Sequence, residues 1–312
     1  PIQMLMISVS VGTGTGLNSL ISRRLGEQRK EEAESAATHG VVLGLFSWIV
    51  FALIGIFGTK AFFHAFTDDS VVSSMGCSYL YIVTICSFGV FIEMNFEKTL
   101  QATGNMIYPM ISQLIGAVTN IILDPIMIFG LLGFPKMGVA GAAVATVIGQ
   151  IFAMIFVTYI ALAKSHAIHI SFKNFKIKWS TIRNIYAVGI PAMIMQAIGS
   201  VLLTAMNLIL ISFHQTAVAV YGVYFKLQSF VFMPVFGLSQ GLMPIMGYNF
   251  GAGSKKRLLG TLKIGSLIAL VIMLLGTAVF MVFPDKLLNI FEADALMLEV
   301  GIPALRTISL CF

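Results

Sequence analysis

Charged residues are scarce in this sequence, and their scarcity excludes an ordinary soluble domain. Only 10% of the 312 residues are Asp, Glu, Lys or Arg, whereas 58% are hydrophobic. A soluble domain carries about 25% charged residues, because its surface must face water. The charges also leave long gaps between them, and a helix needs roughly 20 apolar residues to cross a membrane. The sequence therefore predicts an integral membrane protein with many helices.

Cysteine is also rare. The three cysteines, Cys77, Cys86 and Cys311, have neither disulfide nor metal spacing, so we expect them to be small apolar packing residues. We predict no cofactor and no structural metal site. The chain opens at Pro1 without a charged n-region or a cleavage site, so we expect no signal peptide and expect the sequence to be a fragment of a longer one.

The apolar stretches predict nine hydrophobic helices. Pro125, Pro191, Pro234 and Pro244 fall inside them, which membrane bundles tolerate because neighbouring helices satisfy the freed backbone groups. The predicted helices are 3–22, 38–59, 75–101, 106–131, 138–163, 184–212, 217–247, 264–284 and 295–312.

Lysine and arginine concentrate in alternate connections between these helices. The first, fifth and seventh connections are rich in both, whereas the sixth, between 212 and 217, has neither. Cytoplasmic loops carry such an excess, so we predict that the odd-numbered connections are cytoplasmic. The basic residues lie in separate short loops that face anionic membrane lipids, and they form no continuous groove for nucleic acid.

An internal repeat relates the two halves of the chain. An offset of 225 residues places Gly12 on Gly237 and Gly26 on Gly251, and it places the basic loop 23–34 on the basic loop 250–263. The matched helices lie six apart, so both halves have the same orientation, as in the parallel repeats of secondary transporters. We predict an all-α integral membrane protein, a two-lobed bundle of parallel pseudo-repeats with twelve helices in the parent. Its segments are an N-lobe at 1–163, a basic linker at 164–183 and a C-lobe at 184–312.

Asp124 is the most informative polar residue, because it lies inside the apolar stretch Met106 to Leu131. A charge at the bilayer centre costs roughly 2.5–3.5 kcal/mol even on lenient scales. Asn120 lies one helical turn earlier, and Pro125 loosens the helix next to the carboxylate. We expect a site for H⁺ or Na⁺; the alternative is a neutral or hydrogen-bonded aspartate near the membrane edge.

Further polar residues lie in the predicted membrane helices. Glu93, Glu97 and Gln101 are spaced by four and form one stripe that faces a cavity or, alternatively, makes solvated or gate-closing contacts with Lys98. Lys226 is a lone cation that pairs with an acid or reaches the membrane interface. The remaining polar cavity candidates are Gln196, Asn207, Gln228 and Gln240.

The segment Gly12-Thr-Gly-Thr-Gly16 superficially matches a nucleotide-binding loop. No strand precedes it and no Gly-Lys-Ser/Thr follows it, which excludes that interpretation. Small residues four apart let membrane helices approach closely, and we predict a helix contact here.

Taken together, several short motifs resemble those of the multidrug and toxic compound extrusion (MATE) family, across essentially the whole chain. They are Ser22-Arg-Arg-Leu-Gly26, Leu100-Gln-Ala-Thr-Gly-Asn105, Asn120-Ile-Ile-Leu-Asp-Pro125, Gly138-Val-Ala-Gly-Ala-Ala-Val-Ala-Thr146, Gly189-Ile-Pro191 and Tyr248-Asn-Phe-Gly251. The resemblance implies that the chain covers helices two to ten of the family and that it is similar to the Met-rich exporters of the MepA type.

The resemblance also implies site residues. The family's N-lobe cation site matches Asn120, Asp124 and Thr146, and its remaining acidic member is expected upstream of Pro1. Methionine and aromatic side chains are suited to organic cations. Those on helices that the family places around its cavity are Met193, Met195, Met206, Phe230 and Met233, for which ordinary packing is the alternative.

The resemblance implies an antiporter that exports small organic cations or drugs in exchange for H⁺ or Na⁺ by alternating access of two lobes. We expect a monomer in the plasma membrane, the inner membrane of a bacterium. A lipid-linked precursor flippase of the same superfamily is one alternative, although it favours an Arg-rich cavity. A membrane-embedded enzyme is a second alternative, and a channel is a third.

Overall fold

The computed structural model of the protein describes residues 2–66, 69–163, 168–173, 175–211, 215–291 and 295–311. Within these ranges the chain is helical, with a final 3-10 turn at Ser309–Cys311 and no strand. The helices are α1 (Ile2–Gly26), α2 (Lys30–Phe66), α3 (Ser70–Ile85), α4 (Phe88–Ala102), α5 (Ile107–Phe129), α6 (Val139–Ala163), α7 (Trp179–Ile211), α8 (Gln215–Gly251), α9 (Lys255–Val282), α10 (Pro284–Asn289) and α11 (Ala295–Ile308).

Six helices in the described residues are long and apolar enough to cross a membrane, or seven if the bent pair of α3 and α4 forms one span. The six are Ile2–Gly26, Lys30–His64, Ile107–Phe129, Val139–Ala163, Val218–Gly251 and Lys255–Val282. The prediction of an all-α membrane fold is confirmed. The predicted ninth helix is short, since α11 has only 14 residues.

Several helices extend beyond their apolar stretches. α2 begins at Lys30, eight residues before the predicted start, and its first turn contains Glu31 and Glu32. α1 continues to Gly26, with Arg23 and Arg24 in its last turn. Acidic residues stabilise a helix N-terminus and basic residues stabilise a C-terminus. An apolar stretch therefore marks the central part of each helix but not its charged ends.

The predicted continuous helix 75–101 is wrong, because the chain breaks after Ile85 and resumes at Phe88 with a bend of 41°. Ser87 is fully buried, and its hydroxyl group donates to the Thr84 carbonyl oxygen at 2.7 Å. The Thr84 hydroxyl group donates in turn to the Leu80 carbonyl oxygen at 2.6 Å. Such bonds compete with the backbone hydrogen bonds of a helix and bend it, which apolar periodicity does not reveal.

The glycines of α1 allow a close helix contact, as the sequence predicts. A Cβ atom at Gly16 would collide with the Ile185 carbonyl oxygen of α7, and one at Gly12 would meet the Met193 side chain and the Gly189 carbonyl oxygen. Any larger residue here would force the two backbones apart.

The described chain divides into two compact units. Unit 1 comprises Pro1–Ala197 and Gly247–Gly253, and unit 2 comprises Ile198–Met246 and Ser254–Phe312. In unit 1, α1, α2 and α7 share an apolar core that includes Leu17, Ala36 and Ile185. The core of unit 2 contains Tyr224, Phe280 and Leu305, among others. The predicted lobe boundaries at 163 and 184 stay a prediction.

The described part of the predicted linker consists of residues 168–173 and 175–178, which belong to unit 1, and residues 179–183, which form the start of α7. Ile168 is buried in the core of α1, α2 and α7. The fully buried His39 of α2 accepts a hydrogen bond from the Lys178 backbone N–H at 2.8 Å. The His169 backbone N–H donates to Glu34 at 3.1 Å. Residues 164–167 and 174 of the linker lie outside the described ranges.

Candidate functional site: two polar clusters of unit 1

A tight turn places α6 alongside α5. α5 ends at Phe129 and is capped by Gly130, whose φ of 74° is left-handed and therefore favours glycine. The turn closes with hydrogen bonds from Met137 N–H to the Met127 carbonyl oxygen and from Gly138 N–H to the Ile128 carbonyl oxygen, at 3.0 and 3.2 Å. The polar residues of α5 and α6 face each other as a result.

The first cluster joins Asn120, Asp124 and Thr146. The Asn120 amide nitrogen donates to Asp124 Oδ1 at 3.2 Å and lies 3.3 Å from Thr146 Oγ1. The Thr146 hydroxyl group donates to the Ala142 carbonyl oxygen at 2.9 Å, so it accepts from Asn120. All three side chains are partly exposed. The structure therefore brings together the three residues of the predicted cation site.

Pro125 adds a backbone feature to this cluster. A proline inside a helix has no N–H group, so the carbonyl oxygen four residues earlier, that of Ile121, loses its helical partner. The α5 helix thus combines a carboxylate, an amide and a loosened backbone within two turns. Oxygen atoms of this kind suit Na⁺ or H⁺ in transporters. Occupation of the cluster by either ion stays a prediction.

The second cluster surrounds Glu97 on α4. Glu97 Oε1 accepts from the Gln101 amide at 2.8 Å and Oε2 accepts from the Gln113 amide at 2.7 Å. The Lys98 ammonium group lies 3.8 Å from Glu97 Oε1 and donates to Gln101 Oε1 at 2.9 Å. Glu97 and Lys98 are each 4% exposed. The pair is charge-neutral, and the Glu97 carboxylate accepts hydrogen bonds from two side-chain amides.

Glu93 continues the predicted stripe one turn before Glu97. Its Oε1 atom lies 3.3 Å from the hydroxyl oxygen of Ser112 on α5, and Ser112 is fully buried. The stripe on α4 therefore packs against Ser112 and Gln113. The contact of Glu97 with Lys98 agrees with the predicted alternative, but both side chains are buried rather than solvated.

The three predicted cavity residues of α7 in unit 1 differ in environment. Met193 is partly buried and packs against Gly12. Met195 is 75% exposed, and Gln196 is also exposed. Met193 thus has a packing role in this structure.

Unit 2 contains a cavity of about 520 Å³ with a largely apolar lining. Two of the predicted substrate residues, Met206 and Gln228, line it. Tyr221 and Tyr224 also line it, with ring centroids 6.0 Å apart. Aromatic faces and methionine are compatible with flat organic cations. The ionisable residues of the two polar clusters all belong to unit 1 and not to this lining.

The other unit 2 candidates lie outside this lining. The Lys226 ammonium group lies 5.7 Å from the centroid of the Phe291 ring, a cation–π contact. Phe230 and Met233 are 78% and 67% exposed. Gln240 on α8 is partly buried, and the Asn207 side chain lies outside the part of the chain that the structure describes.

Four residues of the candidate sites were missed by sequence reasoning. Ser112 and Gln113 are polar residues within the apolar stretch that also contains Asp124. Polar residues inside an apolar stretch could have marked them as candidates. Tyr221 with Tyr224 is an aromatic pair at i and i+3, the spacing of one helix face. None of these patterns identifies the partner, because the partners of the first two lie on another helix.

Outside the spans, Glu27 joins the basic residues at the end of α1. Burial by itself raises the pKa of Glu27, but hydrogen bonds from Arg24 and Arg23 outweigh that effect and lower the pKa below its ordinary value. Arg24 also binds Glu32 at 3.0 Å and links α1 to α2. This network links the charged ends of the two helices.

The fold and the two clusters define a class of protein: an all-helical membrane protein with isolated carboxyl groups among its helices. A model of the MatE family matches residues 1–126 and 191–312. The chain belongs to the MatE family, and the predicted family resemblance is confirmed.

Known proteins of this family are similar along nearly the whole chain. A probable multidrug resistance protein NorM of Thermotoga maritima is 28% identical over 302 residues, 96% of the chain. A multidrug export protein MepA of Staphylococcus saprophyticus is 28% identical over 295 residues, 95% of the chain. The chain spans 64% of the length of each relative.

A solved structure shares the fold. It is described as an outward-facing conformation of a multidrug resistance MATE family transporter of the MOP superfamily. The TM-score is 0.93 at 24% sequence identity, and the match covers 99% of this chain and 68% of the other. The arrangement of helices is therefore that of the family.

Proposed function

We propose that the protein is part of a secondary antiporter that exports small organic cations or drugs in exchange for H⁺ or Na⁺ by alternating access. The observation that carries the proposal is the hydrogen-bonded cluster of Asn120, Asp124 and Thr146. A carboxyl group inside a membrane helix is costly and is retained where it binds an ion or a substrate.

Binding of the coupling ion changes the charge of this cluster. A proton or Na⁺ that binds Asp124 from outside neutralises the carboxylate and lowers the cost of burying it. The membrane potential contributes about 2.3 kcal/mol for each charge per 100 mV. The potential drives an exchange in which more positive charge enters than leaves, whereas a one-for-one exchange with a monovalent cation is driven by the concentration gradient of the ion.

The cargo assignment is supported by chemistry and by the relatives. The cavity of unit 2 offers Met206, Tyr221 and Tyr224, which are soft and aromatic. The relatives from Thermotoga maritima and Staphylococcus saprophyticus are named as multidrug resistance and export proteins. We place the protein in the plasma membrane of a bacterial cell, as a monomer surrounded by lipid.

A lipid-linked precursor flippase is the second candidate function. Its substrate carries pyrophosphate, which arginine binds through bidentate hydrogen bonds. In the second half, α8 and α11 carry Lys226 and Arg306, and the basic residues of α7 and α9 lie in their first nine residues: Arg183, Lys255, Lys256, Arg257 and Lys263. The small number of arginines within these helices favours export of cations over transport of a lipid-linked pyrophosphate.

The test is Asp124→Asn in the protein produced from its complete reading frame. In vesicles with an imposed Na⁺ or H⁺ gradient and ethidium as reporter, the variant is expected to lose gradient-driven efflux while staying in the membrane. The matched control is Asp285→Asn, which changes an exposed aspartate at the start of α10. Efflux retained by Asp124→Asn at the level of this control would remove Asp124 from the coupling role.

A further inference from the structure

The hydroxyl group of Ser112 has two acceptors but only one proton. Its oxygen lies 3.3 Å from Glu93 Oε1 and 3.0 Å from the carbonyl oxygen of Ala153 on α6. A serine hydroxyl group donates one hydrogen bond and accepts up to two. Ser112 therefore cannot donate to both atoms at once. Which of the two hydrogen bonds it donates depends on whether Glu93 is protonated.

The distances favour donation to Ala153. An ionised carboxylate usually accepts from a hydroxyl group at about 2.5–2.7 Å, and the Ser112–Glu93 distance of 3.3 Å is much longer. The contact with the Ala153 carbonyl oxygen is the shorter of the two. With the Ser112 proton on Ala153, an ionised Glu93 would face a lone pair of the hydroxyl oxygen. A protonated Glu93 instead donates to that oxygen, and each group has a partner.

The charge of Glu97 acts in the same direction, and Lys98, which pairs with Glu97, partly offsets it. Glu97 lies one turn away from Glu93 on the same helix. Glu97 is the carboxylate that holds Lys98. A second negative charge at Glu93 would repel Glu97, because like charges four residues apart on a helix destabilise each other.

The helices packed against α4 supply no competing cation from their described contacts. Within Val139–Ala163, α6 has no Asp, Glu, Lys, Arg or His. On α5, the acidic residue is Asp124, about 18 Å along the axis from Ser112 at 1.5 Å per residue. On α1, Arg23 and Arg24 bind Glu27.

On α2, the fully buried His39 bonds to the Ser35 carbonyl oxygen and to the Lys178 backbone N–H. Its two ring nitrogens are thus both engaged away from Glu93. The remaining ionisable residues of α2 lie near its two ends: Lys30, Glu31, Glu32, Glu34, Lys60 and His64.

We propose that Glu93 is a second proton-binding site of this protein, in which the protonated carboxyl group donates to Ser112 Oγ and Ser112 donates to the Ala153 carbonyl oxygen. The ligand is H⁺. Its binding links α4, α5 and α6 through a directed hydrogen-bond chain, and its release breaks that chain. The site concerns the protonation of Glu93 alone, so it stands whether or not Asp124 couples transport.

Infrared spectroscopy of the purified protein in lipid nanodiscs tests the assignment. The unmodified protein is expected to show a protonated carboxyl band that disappears as the pH is raised. Glu93→Gln keeps an N–H donor for Ser112 and is expected to lack this band, whereas Glu97→Gln and Asp124→Asn are expected to keep it. An unchanged band in Glu93→Gln would overturn the proposal, and its loss only in Asp124→Asn would do so as well.

Ser112→Ala tests the direction of the hydrogen bond. If Ser112 accepts from a protonated Glu93, removing the hydroxyl group weakens the protonated form, and the band is expected to disappear at a pH lower by roughly one unit. If Ser112 instead donates to an ionised Glu93, the band would persist to a higher pH, which contradicts the proposal. Labelling of glutamate with ¹³C in the unmodified protein assigns the band to Glu rather than Asp. This measurement remains valid if Glu93→Gln fails to fold, and a band that the label does not shift would overturn the assignment.

Discussion

The Asp124 cluster and the Glu97 cluster start from the same local pattern but reach different environments. In each, a carboxylate and an amide are one helical turn apart, as Asp124 with Asn120 and Glu97 with Gln101. Asp124 is partly exposed, and its described partner is a single amide. Glu97 is buried, accepts from two amides and lies beside Lys98.

Glu97 is thus already paired with a cation, whereas the described partners of Asp124 leave its carboxylate without one. A buried charge is stable only when it is paired and hydrogen-bonded. Lys98 performs that role for Glu97, so we expect Glu97 to be structural. The described hydrogen-bond partner of Asp124 is a neutral amide, and we propose that the coupling ion supplies the positive charge there.

Removal of the Lys98 charge is expected to have the largest effect. Lys98→Met leaves the Glu97 carboxylate buried without its cation, which costs about 3–5 kcal/mol. We expect a strongly lowered thermal unfolding midpoint in detergent. The double variant Lys98→Met with Glu97→Gln removes both charges and is expected to recover most of the loss. If the single variant melts like the unmodified protein, Glu97 is not held by Lys98.

Loss of the Thr146 hydroxyl group is expected to have an intermediate effect, confined to transport. Thr146→Ala removes the acceptor of Asn120, and loss of such a supporting group weakens ion affinity by about 10-fold or more. The Na⁺ or H⁺ concentration for half-maximal efflux is the measurement. Thr146→Ser keeps the hydroxyl group and serves as the control. Equal half-maximal concentrations in both variants would exclude Thr146 from the cation site.

Loss of the Glu27 ion pairs is expected to have the smallest effect. Glu27 is a third carboxylate to compare with Asp124 and Glu97, because it lies outside the spans. Because the pKa of Glu27 is lowered in the folded protein, its contribution is complete above its ordinary value of 4.5 and is lost as the pH falls through the folded value. Surface ion pairs contribute at most about 1 kcal/mol.

Glu27→Gln is therefore expected to lower the unfolding midpoint slightly at pH 7 and to make no difference at low pH. Thermal unfolding at both pH values measures this. If Glu27→Gln lowered the unfolding midpoint more at low pH than at pH 7, the lowered pKa of Glu27 would be contradicted.

Residue spacing predicted part of each cluster. Asn120 and Asp124, and likewise Glu97 and Gln101, meet because residues four apart share a helix face. Thr146 was tied to the cation site by family resemblance alone, since 22 positions separate it from Asp124 and no local rule joins them. The partners Ser112 and Gln113 were not predicted, because helix packing decides which face of α5 meets α4.

The same limit explains the errors in the helices. The apolar stretches predicted the centres of the spans, but charged residues continue α1 and α2 beyond them. The break between α3 and α4 depends on Ser87 and Thr84 hydroxyl groups that bond to their own backbone. Apolar periodicity contains no information on such bonds.

The sequence by itself determined that this is an all-helical membrane protein of the MATE type, because scarce charge, long apolar stretches and family motifs depend only on residue order. It also determined that carboxyl groups lie within the membrane helices. Only the tertiary structure decided that Glu97 is paired with Lys98, that Asn120 joins Asp124 to Thr146 and that Glu93 shares one hydroxyl group with Ala153. The physical reason is that the environment of a buried charge is set by neighbouring helices, whose packing a single sequence does not specify.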